Sequence, residues 1–140
     1  MMTTAANSAT VGEMRKTGLK IFFDGGCRPN PGRMETAVVV GGVTYIHPDC
    51  GTGDSNEAEW LACLHAAEMA VSVGARDVVF LGDSALVVGQ VSGRAKCRSH
   101  DFEAHLEKFR SIADNFDRVR IRRIPRTQNL AGIALAKTRL

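Results

Sequence analysis

Long apolar runs are absent from this 140-residue chain. None approaches the roughly 18 residues that a membrane-spanning helix needs, so no membrane partner is expected. Residues 1–17 hold neither an apolar signal core nor a strand pattern. They read as a disordered leader before a single domain over residues 18–140. Cysteine is also scarce. Cys27, Cys50, Cys63 and Cys97 form no C-x-x-C pair and no metal-ligand spacing, which fits reduced thiols in a cytoplasmic protein rather than a zinc scaffold. Of the histidines, His47, His100 and His105 lack ligand spacing, and His65 reads as a core residue on an inner helix stripe. Missing too are a Walker loop, a Ser/His/Asp arrangement, internal repeats and low-complexity tracts.

What is present is ordinary in amount. With 44% hydrophobic and 24% charged residues the chain can bury a real core, and composition alone names no function. The net charge of +3 is modest, but its distribution is uneven. Residues 94–140 hold twelve Lys and Arg against five Asp and Glu. Such asymmetry suits a face that binds a polyanion, with a solvated charged surface as the plainer alternative.

Leu19 to Asp24 reads as a strand broken by Gly25-Gly26 and then by the turn signal Pro29-Asn30-Pro31-Gly32. Thr36 to Val40 and Val43 to Ile46, separated by Gly41-Gly42, form a hairpin signature. Pro48 to Gly53 is a loop. A helix follows with Asp54 or Ser55 as N-cap. Its face of Ala58, Leu61, Ala62, His65, Met69 and Val73 is expected to pack on the sheet, and Gly74 stops it. Val78 to Leu81 is a short strand buried on both faces. Helices over Ser84 to Val91 and Phe102 to Phe116, a strand over Val119 to Ile124 and a closing helix over Asn129 to Lys137 complete the order β-β-β-α-β-α-α-β-α. The fold class is therefore α/β: a mixed five-stranded sheet, three antiparallel strands then two parallel, flanked by helices.

Three acids stand where chemistry is expected. Asp24 ends the first strand beside two glycines that let a large ligand approach the backbone. Glu59 lies in the first helical turn, and Asp83 follows the buried strand Val78 to Leu81, where open α/β sheets place ligands. Each has a plainer role: a turn aspartate, a complement to the helix dipole, a helix N-cap. Together they are the oxygen donors that a hard cation such as Mg²⁺ or Mn²⁺ takes. On a basic chain they point to phosphodiester chemistry.

Phe22-Phe23-Asp24-Gly25-Gly26 with Asn30-Pro31-Gly32, Ser55-Asn56-Glu57-Ala58-Glu59, Asp83-Ser84-Ala85-Leu86-Val87 with Gln90 and Gly93, and Pro125-Arg126-Thr127-Gln128-Asn129 together resemble type 1 ribonuclease H. The resemblance spans roughly residues 19 to 138 and implies the ribonuclease H fold. It also implies an endonuclease that cuts the RNA strand of RNA–DNA hybrids with two Mg²⁺ or Mn²⁺ ions held by four acids, and nothing in the sequence demands more than a monomer. Asp24, Glu59 and Asp83 fall on three of those positions. Gly25, Gly26, Cys27, Asn30, Asn56 and Gln90 fall where the family contacts the minor groove of the hybrid, including the 2′-hydroxyls that distinguish RNA. At the fourth acid this sequence departs, since strict alignment puts Ile133 there. Asn129, one turn earlier, is expected to serve as a neutral ligand in its place, the other reading being a site left with three acids. Arg126 replaces the family's loop histidine and is expected to hold a phosphate. The alternative implied by the lost acid is a hybrid-binding module with impaired catalysis.

Overall fold

A computed structural model describes residues 18–139. The expected leader, residues 1–17, lies outside the described residues. Strands β1 (Leu19–Cys27), β2 (Gly32–Val40), β3 (Val43–His47), β5 (Asp77–Gly82) and β6 (Arg118–Arg123) form one sheet in the order β3-β2-β1-β5-β6. The first three are antiparallel, and β5 and β6 extend the sheet in parallel with β1. A two-residue strand β4 (Thr52–Gly53) pairs with the start of β2 inside the segment expected to be loop. Two residues are too few to show any periodicity.

Two strands run longer than their sequence suggests. Gly25 and Gly26 do not break β1; they adopt extended backbone and pair with Thr36 and Glu35 of β2. The ladder outweighs the weak strand preference of glycine, and Asp24 sits within β1 rather than at its end. At the other hairpin, Gly41 and Gly42 take φ of +59° and +77°. Positive φ at both central residues is what a two-residue type I′ turn requires.

The helices are α1 (Ser55–Ser72), α2 (Ala85–Ser92), α3 (His100–Ala113) and α4 (Leu130–Lys137), the last preceded by a 3₁₀ turn over Arg126–Gln128. Helix α1 is capped by Asp54, whose carboxylate accepts from Glu57 N–H. It packs on β1 and β2 and against α3, so burial extends around it rather than along one stripe. Ala58 and Ala62 are buried as expected, together with Trp60, Cys63, Leu64 and Ala66. Leu61, His65 and Met69 are only half-buried, and Val73 is an exposed C-cap. Asp83 is not an N-cap; Ser84 performs that role for α2 by accepting from Val87 N–H.

The sheet separates two cores of unequal size. On the α1 side Ile21, Phe23, Trp60, Val78 and Phe80 are fully buried, with Phe109 and Phe116 edge-on to Phe80. On the other side α4 alone covers Ala37 and Val39 with Ala131 and Leu135. The functional cleft opens where α4 meets the ends of β1 and β5. Among the described residues no helix is long and apolar enough to cross a membrane.

Candidate active site

The three acids converge from three elements. Asp24 comes from the middle of β1, Glu59 from the second turn of α1 and Asp83 from the end of β5. One oxygen of each lies within 4.8 Å of the others. A shallow cleft of about 290 Å³ exposes them, lined also by Ser55, Asn56, Arg126, Leu135 and Arg139.

Local backbone explains why they meet. The place where a Cβ would stand on Gly25 is filled by the Ala58 carbonyl of α1. Only glycine lets helix and strand approach so closely, and the approach brings Glu59 over β1. Its Oε1 accepts from Gly25 N–H at 3.1 Å. Glu57, two residues earlier, points away and pairs with His105 of α3 at 2.8 Å. Asp83 is held from two directions. Its backbone carbonyl accepts from Arg123 Nε, and its Oδ2 accepts from Asn129 Nδ2 at 2.9 Å.

Asp24 and Glu59, largely removed from water and crowded by each other and by Asp83, resist ionisation. Burial first, then the charge of Asp83, pushes Asp24 up to about 6. Burial first, then Asp24 and Asp83, pushes Glu59 up to about 9. Of the two, Glu59 is the more strongly held against ionisation, because burial and two acidic neighbours act on it together. Such a cluster needs a positive charge at its centre. The donor set is all hard oxygen, so the residues present fit Mg²⁺ or Mn²⁺ and would disfavour softer metals.

Asn129 is fully buried, and its amide is already committed. Nδ2 donates to Phe23 O and to Asp83 Oδ2, while Oδ1 accepts from Ala131 N–H as the cap of α4. The oxygen expected to bind metal therefore serves the helix, and Asn129 orients Asp83 instead. Ile133 is exposed and is not among the residues that line the cleft with the acids. The α4 residue that faces them is Gly132, on which a Cβ would stand 3.3 Å from Asp24 Oδ2.

The expected substrate contacts divide. Asn56 and Arg126 are exposed on the cleft, and Gly25 and Gly26 form its floor. Asn30 instead ties the β1–β2 turn to α1, donating to Ser55 Oγ and accepting from Ser55 N–H. Cys27 is buried in a small cluster with Met34 and Ala58. Gln90 is buried as well, accepting from Trp60 Nε1 at 2.7 Å and donating to the Lys96 carbonyl. A motif position names a residue but not the face its side chain takes. Arg139 was missed. Gly132 and Leu135 lie at i and i+3 on one face of α4, and Arg139 follows in the turn after it, so its approach to the cleft depends on how the helix ends.

Comparison with known proteins places this geometry. The family model described as reverse transcriptase-like matches residues 33–139. The chain is 32% identical over 124 residues to ribonuclease HI of Halobacterium salinarum, covering 85% of this chain and 62% of that relative. It is 31% identical over 122 residues to a bifunctional protein of Mycobacterium tuberculosis, covering 83% of this chain and 34% of the relative. The chain thus spans less than two thirds of these curated relatives. Among solved structures, RNase H1 of Halobacterium salinarum superposes with a TM-score of 0.76 at 29% identity, covering 85% of this chain and 98% of that one. LC11-RNase H1, solved in complex with an RNA/DNA hybrid, gives 0.74 at 25% identity, covering 87% and 99%.

Proposed function

Because the chain belongs to the reverse transcriptase-like family of ribonuclease H folds, we propose that residues 18–140 form a ribonuclease H domain. In this reading it is an endonuclease that hydrolyses the RNA strand of RNA–DNA hybrids with divalent metal. The observation that carries it is the convergence of Asp24, Glu59 and Asp83 on one open cleft of a basic protein. Two Mg²⁺ or Mn²⁺ ions held there would supply charge neutralisation and an activated water for in-line displacement at phosphorus.

The chain's own residues do the rest. Asp24 and Asp83 present their carboxylates across the cleft, and Asn129 fixes the Asp83 carboxylate through Nδ2. Glu59 is fixed by Gly25 N–H, and burial with two acidic neighbours holds its carboxyl against ionisation. Asn56, at the rim, offers an amide to the minor groove, where a 2′-hydroxyl is both donor and acceptor. Arg126 sits over the acids and holds a backbone phosphate. The free thiols Cys27, Cys50, Cys63 and Cys97 fit a reducing, cytoplasmic setting, and the three acids meet within one chain, which fits a monomer.

One observation favours a second reading, a hybrid-binding module with impaired catalysis: α4 brings no acid to the cleft. Cleavage of an end-labelled RNA–DNA hybrid, beside matched RNA and DNA duplexes, in Mg²⁺, Mn²⁺ or EDTA decides between them. Metal-dependent cutting confined to the RNA strand of the hybrid is the expected result. Binding without cutting in every metal would establish the module instead.

A further inference from the structure

Arg139 has no role in the reading so far, yet its guanidinium lines the same cleft as the three carboxylates. It reaches there from the turn that closes α4, over Gly26. A Cβ on Gly26 would stand 2.8 Å from Arg139 Nη2, so the glycine leaves the arginine its place. The side chain is only 24% exposed and is held by Glu35, the β2 partner of Gly26 in the ladder. Both Nε, at 2.9 Å, and Nη2, at 2.7 Å, approach the same oxygen, Glu35 Oε2. Glu35 Oε1 lies instead near the Thr138 hydroxyl, at 3.5 Å.

This is not the two-oxygen fork that satisfies an arginine on a carboxylate. Both donors converge on one oxygen, and buried Nη2 is left as an ion pair without a hydrogen bond. A guanidinium carries five N–H donors in one plane, and Glu35 engages at most two. The rest belong to a cation anchored on one edge at the rim of a site for phosphodiesters. The wall it stands on lacks a carboxylate, because Gly132 offers no side chain and α4 carries no acid. Arg126 stands over the same cleft.

We propose that Arg139 binds a backbone phosphate of the strand lying over Asp24, Glu59 and Asp83, with Glu35 as the positioning residue that holds its guanidinium at the rim. The proposal rests on the nucleic-acid reading above. It makes α4 a substrate-gripping wall, with phosphate held between Arg126 and Arg139.

The test is hybrid binding in EDTA across a salt series, comparing wild type with Arg139→Gln, alongside steady-state cleavage. Loss of one phosphate contact should lower the slope of log affinity against log salt by about 0.7 to 0.9. At about 0.1 M salt the affinity should fall about tenfold, with KM rising more than kcat falls. If Arg139→Gln fails to fold because Glu35 is stranded without a partner, the double variant Glu35→Gln/Arg139→Gln removes that cause and should show the same lost slope. An unchanged slope in a folded variant, with only a lower thermal midpoint, would reduce Arg139 to a tether of the C-terminal turn and overturn the proposal. Wild type that shows no salt-dependent hybrid binding at all would overturn the underlying reading with it. The two failures are therefore distinguishable.

Discussion

The wall of the cleft formed by β1, α1 and β5 carries three carboxylates, whereas the wall formed by α4 carries none and ends in an arginine. The two are also built differently. Asp24 and Asp83 are fixed by strands with neighbours on both sides, and Glu59 by the close approach of α1 to Gly25. Helix α4 covers its face of the sheet alone and is docked through Ala131, Leu135 and the amide of Asn129. Its docking does not depend on residues 132 or 133. The difference teaches that the acidic wall has its side chains placed by strand pairing and a close helix–strand approach, while the chemistry of the α4 wall depends on how one singly docked helix is turned.

The sharpest way to break this contrast is to remove charge from the acidic wall. Asp83→Asn keeps the shape and should cut hybrid cleavage about a thousandfold, roughly 4 kcal/mol of transition-state stabilisation. Binding of the hybrid in EDTA should survive. Near-normal turnover would take Asp83 out of the chemistry.

On the α4 wall the largest effect should be on stability. Asn129→Ala removes a helix cap worth about 1 kcal/mol and strands the Phe23 carbonyl at a cost of about 1 to 3 kcal/mol. A denaturant midpoint lower by the equivalent of about 2 to 4 kcal/mol, with unchanged slope, is expected. A wild-type midpoint would mean that α4 is docked by its apolar contacts alone.

The acidic wall should also respond to pH without any substitution. Asp24 and Glu59 ionise less readily in the folded chain, near 6 and 9, than at their ordinary 3.8 and 4.5. Below about pH 4 both are protonated in either state and folding has nothing to lose. From about pH 4 upward the unfolded chain releases these protons first, so metal-free stability should fall, through Asp24 until about pH 6 and through Glu59 until about pH 9. Added Mg²⁺ should raise the melting temperature more at pH 9 than at pH 5. Equal shifts at both pH values would contradict the shared-charge picture.

The smallest effect separates two neighbours on α4. Gly132→Asp places a fourth carboxyl against Asp24 and should tighten Mn²⁺ binding about tenfold by calorimetry. Ile133→Asp, on the exposed side, should leave the affinity within about twofold. The reverse ranking would restore residue 133 as the position facing the acids.

Much of this was legible before any coordinates. The strand and helix order, the Gly41-Gly42 hairpin and the three acids follow from local patterns, because β-branched runs, paired turn glycines and caps act over a few residues. Reading Gly25-Gly26 as a break failed because pairing with β2 over-rode local preference. The stripe assigned to α1 failed because α3 covers a second side of the helix. Cys27 and Gln90 occupy motif positions, yet their side chains turn inward to Asn30, Trp60 and the Lys96 carbonyl.

The identities of Asp24, Glu59 and Asp83, and the lack of an acid after Asn129, stand in the primary structure and needed no fold to be seen. Which α4 residue faces those acids did not. The rotation of a helix about its axis is set by what it docks against, and one residue of phase, about 100°, exchanges Ile133 for Gly132. The meeting of Arg139 with Glu35 is likewise invisible in sequence, 104 residues apart, because a β ladder and a helix end bring them together. Local order is encoded in neighbouring residues; the facing of side chains across a cleft depends on packing between distant ones.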